Sequence, residues 1–406
     1  MAKLASFKPA DLKFENKTSI LQFVYSNGIT SKTDICKTLG MSKPTASLLV
    51  QELVDHHLLI EAGYGDSTNQ GGKKPQLYEF NSNAGAVIAL FIGIDSLQGA
   101  LINLGIKVLF RIKIDVGKET GDQLLSNISE IVEQLIVKSE QSGLKLFGIG
   151  VSAPGIIESK KGILINATHL EGLSDVQIGP HLQDKFDLPV WVNNESRNMA
   201  IAEKWFGVGK TAKTLIALQT NGGGLGTGII IENEIYQGKD NSGGEFGHTT
   251  IDIHGPVCRC GNIGCWELYA SEEAFLARFK QAPEFEPFRQ DLQLQLDKAD
   301  LNFTIIAQAY KDGNAYASTQ VNQYAEYLAV GMVNLVNVFN PDMIILRGDL
   351  MALQEPFLKK LESIVIKRAL LPAGKRVVIR FSELTEDTRI IGAATLVIKE
   401  VIQGHI

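Results

Sequence analysis

The densest chemistry in the chain is a short run of cysteines with a histidine nearby. Cys258, Cys260 and Cys265 fall within eight residues, and His248 stands ten residues before the first of them. Three thiolates and one imidazole complete a tetrahedral Zn²⁺ shell, and with no position left for water such a site is structural. Gly261 and Gly264 supply the tight turns that fold three sulfurs around one ion. Unpaired buried cysteines or a redox pair are the competing readings, and neither explains the glycine spacing. The fourth cysteine, Cys36, stands alone. In a reducing compartment such a cluster is more often a metal site than a disulfide framework.

A second chemistry-bearing stretch lies near the N-terminus, where Ser42-Lys43-Pro44-Thr45-Ala46-Ser47 opens a helix. Ser42 can cap it, and Pro44 in the first turn costs nothing because no N–H is needed there. Small hydroxyls and one lysine let such a helix end approach base edges and phosphates, making Ser42, Lys43, Thr45 and Ser47 candidate DNA contacts. The elements around it fit that role. A helix over Glu15–Ser26 carries Ile20, Leu21, Phe23 and Val24 and stops at Asn27-Gly28. A second, capped by Ser31, carries Ile35 and Leu39, and Gly40-Met41 turns the chain into the third, whose expected apolar stripe is Leu48, Leu49, Leu53 and Val54. Strands at Leu58–Ile60 and Leu77–Phe80 flank a loop, Gly63 to Pro75, with Lys73 and Lys74 placed to reach a phosphate or the minor groove. Helix, tight turn, helix and glycine-lysine hairpin make a winged helix-turn-helix. The plainer alternative is a small helical oligomerisation domain with solvated lysines.

Composition sets bounds. The 406 residues suggest two to four domains, and 45% hydrophobic with 21% charged residues excludes a disordered or fibrous chain. The apolar-and-glycine run through Ala86 to Ile94 is far short of the roughly 20 residues that cross a bilayer. The first residues show no apolar segment of a secretory signal, so the expected location is cytoplasmic. The net charge of −6 argues against a protein that coats nucleic acid, but it is uneven. Residues 1–82 hold nine Lys against eight acids, giving +1, and the remainder carries −7.

Beyond residue 85 apolar strands (Val87–Ile94, Leu146–Val151, Val190–Val192, Thr214–Leu218, Met343–Leu346) alternate with helical stretches such as Asp122–Ser139 and Glu195–Phe206. That alternation implies α/β layers with mixed or parallel sheets, and more than 300 residues implies two lobes with a cleft between them.

With these residues in view, the chain resembles the ROK family of repressors and sugar kinases, specifically its DNA-binding sugar repressors. Gly244-Glu245-Phe246-Gly247-His248, followed by Cys258-x-Cys260-Gly261-x-x-Gly264-Cys265-x-Glu267, carries the resemblance most specifically. It covers essentially the whole chain. It implies an actin-like, hexokinase-like ROK domain over residues 83–406 behind a winged head over 1–82, with the C-terminal helix returning to the first lobe. It also implies sugar contacts at Gly155 of a Pro-Gly turn, at Asn194 and Glu195, at Glu245 and His248, and at Glu267. Carboxylates and an amide can each bridge adjacent hydroxyls, and His248 would couple metal to ligand through its two ring nitrogens.

Kinases of this family use an aspartate as base and glycine loops for phosphates. Here the base position is Glu195, one methylene too long, a misplacement of roughly 1 Å worth about 10²-fold. The first phosphate loop reads Asp95-Ser96-Leu97-Gln98 without its glycines. Leu346-Arg347-Gly348 puts an arginine where backbone should approach a nucleotide, whereas Gly222–Gly228 survives almost whole. The expectation is a repressor with a vestigial kinase fold and no enzymatic activity. Its partners would be operator DNA, a monosaccharide and a second copy of the chain (a homodimer, with a tetramer left open), since helix-turn-helix proteins read paired half-sites. Glu195 resembles the xylose-responsive members, so xylose comes first, then glucose or an N-acetylhexosamine. A kinase with a regulatory head and a repressor answering to a protein partner are the rivals.

Overall fold

Hydroxyl caps and left-handed glycines set the head's corners in the computed structural model, which describes residues 9–66, 74–167, 170, 172–221, 223–291, 301–370, 373–385 and 387–405. Ser31 forms a reciprocal capping box with Asp34 at the start of helix Lys32–Leu39, and Gly40 at φ +67° ends it. Ser42 caps helix Lys43–Asp55. Strands Leu59–Tyr64 and Gln76–Phe80 pair antiparallel as the wing, with Thr30–Ser31 added at its side. Lys74 is exposed at the wing's base. Lys73, a candidate DNA contact, lies outside the described residues.

Two expectations for the head need correction. The first helix begins at Pro9, well before Glu15, and its added turns bring Phe14 into a stacked contact with His405, 5.9 Å between centroids. Leu48 is not in the apolar stripe. The helix buries Ala46, Leu49, Val50 and Leu53, and at 100° per residue Leu48 falls on the opposite side, 58% exposed.

The remaining chain builds two five-stranded mixed sheets. In the first lobe the order is Val190–Asn194, Leu146–Ala153, Ala86–Ile92, Ser96–Asn103, Val108–Asp115. In the second it is Glu234–Ile235, Gly226–Ile231, Leu215–Gln219, Met343–Arg347, Val378–Phe381. Strands Ser96–Asn103 and Val108–Asp115 were missed in the sequence, although the latter alternates strictly between half-buried and exposed positions. The expected phosphate loop at Asp95–Gln98 covers the turn and the start of the second strand of a tight hairpin between Ala86–Ile92 and Ser96–Asn103, closed by Gly93 N–H donating to Ser96 C=O.

Two helices, Glu195–Trp205 and Thr388–Ile402, lie between the sheets. Their approach is possible only through glycine. A Cβ on Gly392 would stand 2.0 Å from Asn198 O, and one on Gly150 would stand 1.9 Å from Ala393 O. The C-terminal helix seats on the first sheet. One apolar core runs through the head (Ile20, Val24, Leu49), the first sheet (Val87, Phe91) and this helix (Ile390, Val397, Val401). Tyr25 donates to Leu104 O at 2.9 Å and Thr18 to Gln403 O at 3.0 Å, so head and lobe also share polar ties. Among the described residues no helix is long and apolar enough to cross a membrane.

Candidate functional site

Between the sheets lies a cleft of about 960 Å³ into which both central helices point their N-termini. All six residues expected to touch a sugar line it: Gly155, Asn194, Glu195, Glu245, His248 and Glu267. Their roles differ from one another.

Gly155 and Asn194 hold the cleft's shape. Gly155 has φ +81°, and a Cβ there would stand 2.2 Å from Asn166 O. Its carbonyl accepts from Asn194 Nδ2 at 2.9 Å, while Asn194 Oδ1 accepts from the N–H groups of Ser196 and Arg197, capping the helix. The amide therefore keeps one N–H for a ligand, fewer bonds than its type alone suggests.

Glu195 follows as the first helical residue and faces Arg389, whose Nη1 lies 4.0 Å from its carboxylate. Arg389 is locked by a fork to Asp387 (2.9 and 2.8 Å) and stacks over Phe91 at 4.0 Å. Burial pushes Glu195 up to about 7 from its ordinary 4.5, with Arg389 pulling down and Asp387 and Glu245 pushing further up. The folded chain thus keeps a proton that the unfolded chain has lost. This group's stabilising share is full below about pH 4.5 and is lost as pH rises through 7. Urea unfolding of Glu195→Gln should match the parent near pH 4.5 and exceed it at pH 8 by up to about 3 kcal/mol; equal stability at both values would contradict the burial.

Glu245 and His248 come from a loop that Arg197 pins, its Nη2 donating to Asn241 O (2.6 Å) and Gly243 O (3.1 Å). Gly247 lets the 3₁₀ turn Phe246–His248 pack against Leu225, since a Cβ would lie 2.1 Å from Leu225 O. Glu267, 3% exposed, opens a short helix, with Oε1 3.5 Å from His248 Nδ1 and 3.0 Å from Cys258 Sγ.

The cysteine cluster stands at the edge of this cleft. Ligand atoms of His248, Cys258, Cys260 and Cys265 all lie within 4.8 Å of one another. Cys260 Sγ is 3.7 Å from Cys265 Sγ, and Cys258 Sγ is 3.7 Å from His248 Nδ1. A tetrahedron with Zn–S bonds of about 2.3 Å has edges of about 3.8 Å, so donor type and spacing both fit zinc. Asn262, which sequence reasoning passed over, ties the loop together: its amide donates to His248 O at 2.9 Å and approaches Cys265 Sγ at 3.4 Å.

The nucleotide side departs from expectation in one respect. Arg347 does not enter the cleft; its Nη1 turns back to Ser382 Oγ (3.2 Å) and Leu384 O (2.7 Å). What fills the space is Glu272, whose Oε1 accepts from Thr220 Oγ1 (2.7 Å) and Leu350 N–H (3.0 Å) and would lie 2.2 Å from a Cβ on Gly348. Gly226 and Gly228, from the second glycine loop, serve packing: a Cβ on either would stand within about 2 Å of Ser196 atoms. Gly222 lies outside the described residues. Arg389 and Glu272 were both missed, because neither stands in a motif and only the fold brings them to the cleft.

In the head, Ser42 is spent as a cap, accepting from Thr45 N–H at 3.3 Å, and its hydroxyl meets that of Thr45 at 2.8 Å. Lys43 and Ser47 stand exposed on the same helix.

The ROK family pattern matches residues 87–400. The chain belongs to the ROK family. A xylose repressor from Caldicellulosiruptor bescii is 34% identical over 96% of this chain and 97% of its own length. A glucokinase from Halalkalibacterium halodurans is 29% identical but covers only 76% of this chain, 94% of its own. Among solved structures, a ROK transcriptional regulator described as a homologue of the Escherichia coli Mlc protein superposes with a TM-score of 0.79 at 25% identity, covering 97% of each chain. Repressor relatives of this ROK chain thus span its head as well as its lobes.

Proposed function

We infer that this ROK chain is a DNA-binding transcriptional repressor of carbohydrate-utilisation genes, released from its operator by a monosaccharide held between the lobes. The observation that carries this reading is the course of the two central helices. Both begin at the cleft, at Glu195 and at Thr388 beside Arg389, and both end against the head. Trp205 and Phe206, at the end of the first, meet Tyr25 edge-on at 6.0 and 5.9 Å. The carbonyl of Gln403, just past the second, accepts from Thr18. Eleven and fifteen residues make rods of about 16 and 22 Å. A ligand that draws Glu195, Arg389, Glu245 and Glu267 together moves the near ends of rods whose far ends hold the DNA-reading unit. Release can then be no stronger than the sugar's preference for one arrangement over the other.

Xylose is the first candidate effector, supported by Glu195 and by the relatives named xylose repressor; glucose and N-acetylhexosamines follow. Residues 1–82 are assigned as the head and 83–406 as the sugar-binding domain, and the operator is read by a homodimer. Zinc would sit in the His248–Cys258–Cys260–Cys265 cluster and supply rigidity only, fixing the histidine and Glu267 beside the sugar.

The cleft's lining argues against a working kinase. Asp95, Glu195, Glu245, Glu267, Glu272, Glu273 and Asp349 line it, seven carboxylates against Arg259, Lys280 and Arg389. A nucleoside triphosphate would find no glycines at Asp95–Gln98 to bring backbone N–H groups to its phosphates. The purified chain should bind a monosaccharide without turning over ATP. Lys43→Ala should weaken operator binding about equally across sequences and reduce its salt slope by about one, while leaving sugar affinity alone. ADP formation with any aldose at about 1–10³ per second would establish the kinase reading instead.

A further inference from the structure

The outward face of helix Lys43–Asp55 carries an unexpected apolar side chain. Lys43, Pro44, Ser47, Leu48 and Gln51 all face solvent, and Leu48 stands in the middle of them, 58% exposed. It is the one large aliphatic side chain among them. The helix's stability gains little from it, because Ala46, Leu49, Val50 and Leu53 do the burying. Glu52, the carboxylate nearest in sequence, is drawn toward the first helix by Lys13 (2.7 Å) and Lys17 (2.5 Å), and Asp55, one further turn along this face, accepts from Gln51 Nε2 at 2.9 Å.

We propose that Leu48 is a specificity-determining residue that reads the 5-methyl group of a thymine in the operator. The inference rests on the DNA-reading head of the preceding section and deepens it. Leu48 lies five residues, about 7.5 Å, into the helix from Lys43. That places it in the first two turns of the helix and on its solvent face, the part of a recognition helix that meets base edges in the major groove. Leucine offers no donor or acceptor. Of the groups that base pairs present there, only the thymine methyl gives it a favourable contact. Each half-site would then require thymine at one position, and desolvation of that methyl would discriminate against cytosine and against uracil.

The test uses the full-length chain on the promoter segment it protects, prepared once with thymine and once with deoxyuridine in its place, which deletes only methyl groups. Expected is an affinity loss of about fourfold per half-site for the parent on the uracil duplex. Leu48→Ala should bind the thymine duplex with about that reduced affinity and lose nothing more on uracil, with its melting temperature unchanged because the side chain is exposed. Equal affinity of the parent for both duplexes would overturn the inference, as would a Leu48→Ala variant that stays fully sensitive to the methyl. A change in the oligomeric state of Leu48→Ala without any change in methyl sensitivity would assign Leu48 to a protein contact and overturn it too. If the chain protects no promoter segment at all, the DNA reading of the head falls first and the inference with it.

Discussion

Glu267→Ala yields a repressor that holds its operator and that sugar no longer releases. The carboxylate is 3% exposed, so its oxygens are aimed by the fold with little entropy left to lose. Trp266, fully buried beside it, donates through Nε1 to Tyr327 O at 2.9 Å and packs so close to Gly331 that a Cβ there would strike the indole at 2.1 Å. A charged acceptor preset in this way contributes about 1.5–3 kcal/mol for each hydroxyl it receives. Loss of two such bonds weakens sugar binding by 10²-fold or more, on the order of 3 kcal/mol or above. Calorimetry with the effector reads that loss directly. The head is untouched, so operator affinity without sugar should equal the parent's. Zinc content measured on the same sample separates a lost contact from a damaged metal module.

Cys265→Ser should cost the chain its zinc, its sugar response and much of its resistance to heat. Cys265 is completely buried, and its backbone bridges Thr250, so the loop has no alternative packing once the sulfur is removed. Structural zinc contributes about 10–16 kcal/mol of apparent binding energy in small zinc modules. Losing even a part of that is large against the margin of about 5–15 kcal/mol that holds a typical domain folded. Elemental analysis should give one zinc per parent chain and well under one for the variant, and a strong chelator should reproduce the variant's lower melting temperature in the parent. A parent with reduced cysteines and far less than one equivalent of zinc would refute the assignment.

What the sequence disclosed, and what it hid, follows from the range of the interactions involved. The head was legible because its determinants are local: Ser31 with Asp34, Gly40 in the left-handed region, Ser42 as cap. The cysteine cluster was legible because its ligands are close in sequence and chemically unlike their surroundings. Leu48 was misread because an apolar residue beside Leu49 looks like core until the helix's rotation is fixed by what Ala46 and Leu53 pack against. The strand beginning at Ser96 is hidden in the sequence because its two partners, Ala86–Ile92 and Val108–Asp115, are specified only by the sheet. Arg389 and Glu272 reach the cleft from positions nearly 200 and nearly 80 residues away from Glu195, so no spacing rule could find them. Arg347 shows the converse: a residue at a motif position can turn its side chain elsewhere, here to Ser382 and Leu384.

The central claim is that a sugar in the cleft loosens the head from DNA. Its most direct test is a titration of the full-length chain, bound to its promoter fragment at fixed salt, with D-xylose and then with D-glucose and N-acetylhexosamines. The account predicts that one of these monosaccharides lowers operator affinity by about 5–150-fold, the usual span of coupling between two sites. Glu267→Ala should stay bound throughout. Operator affinity that none of these sugars changes, measured on protein that carries its zinc, would contradict the account.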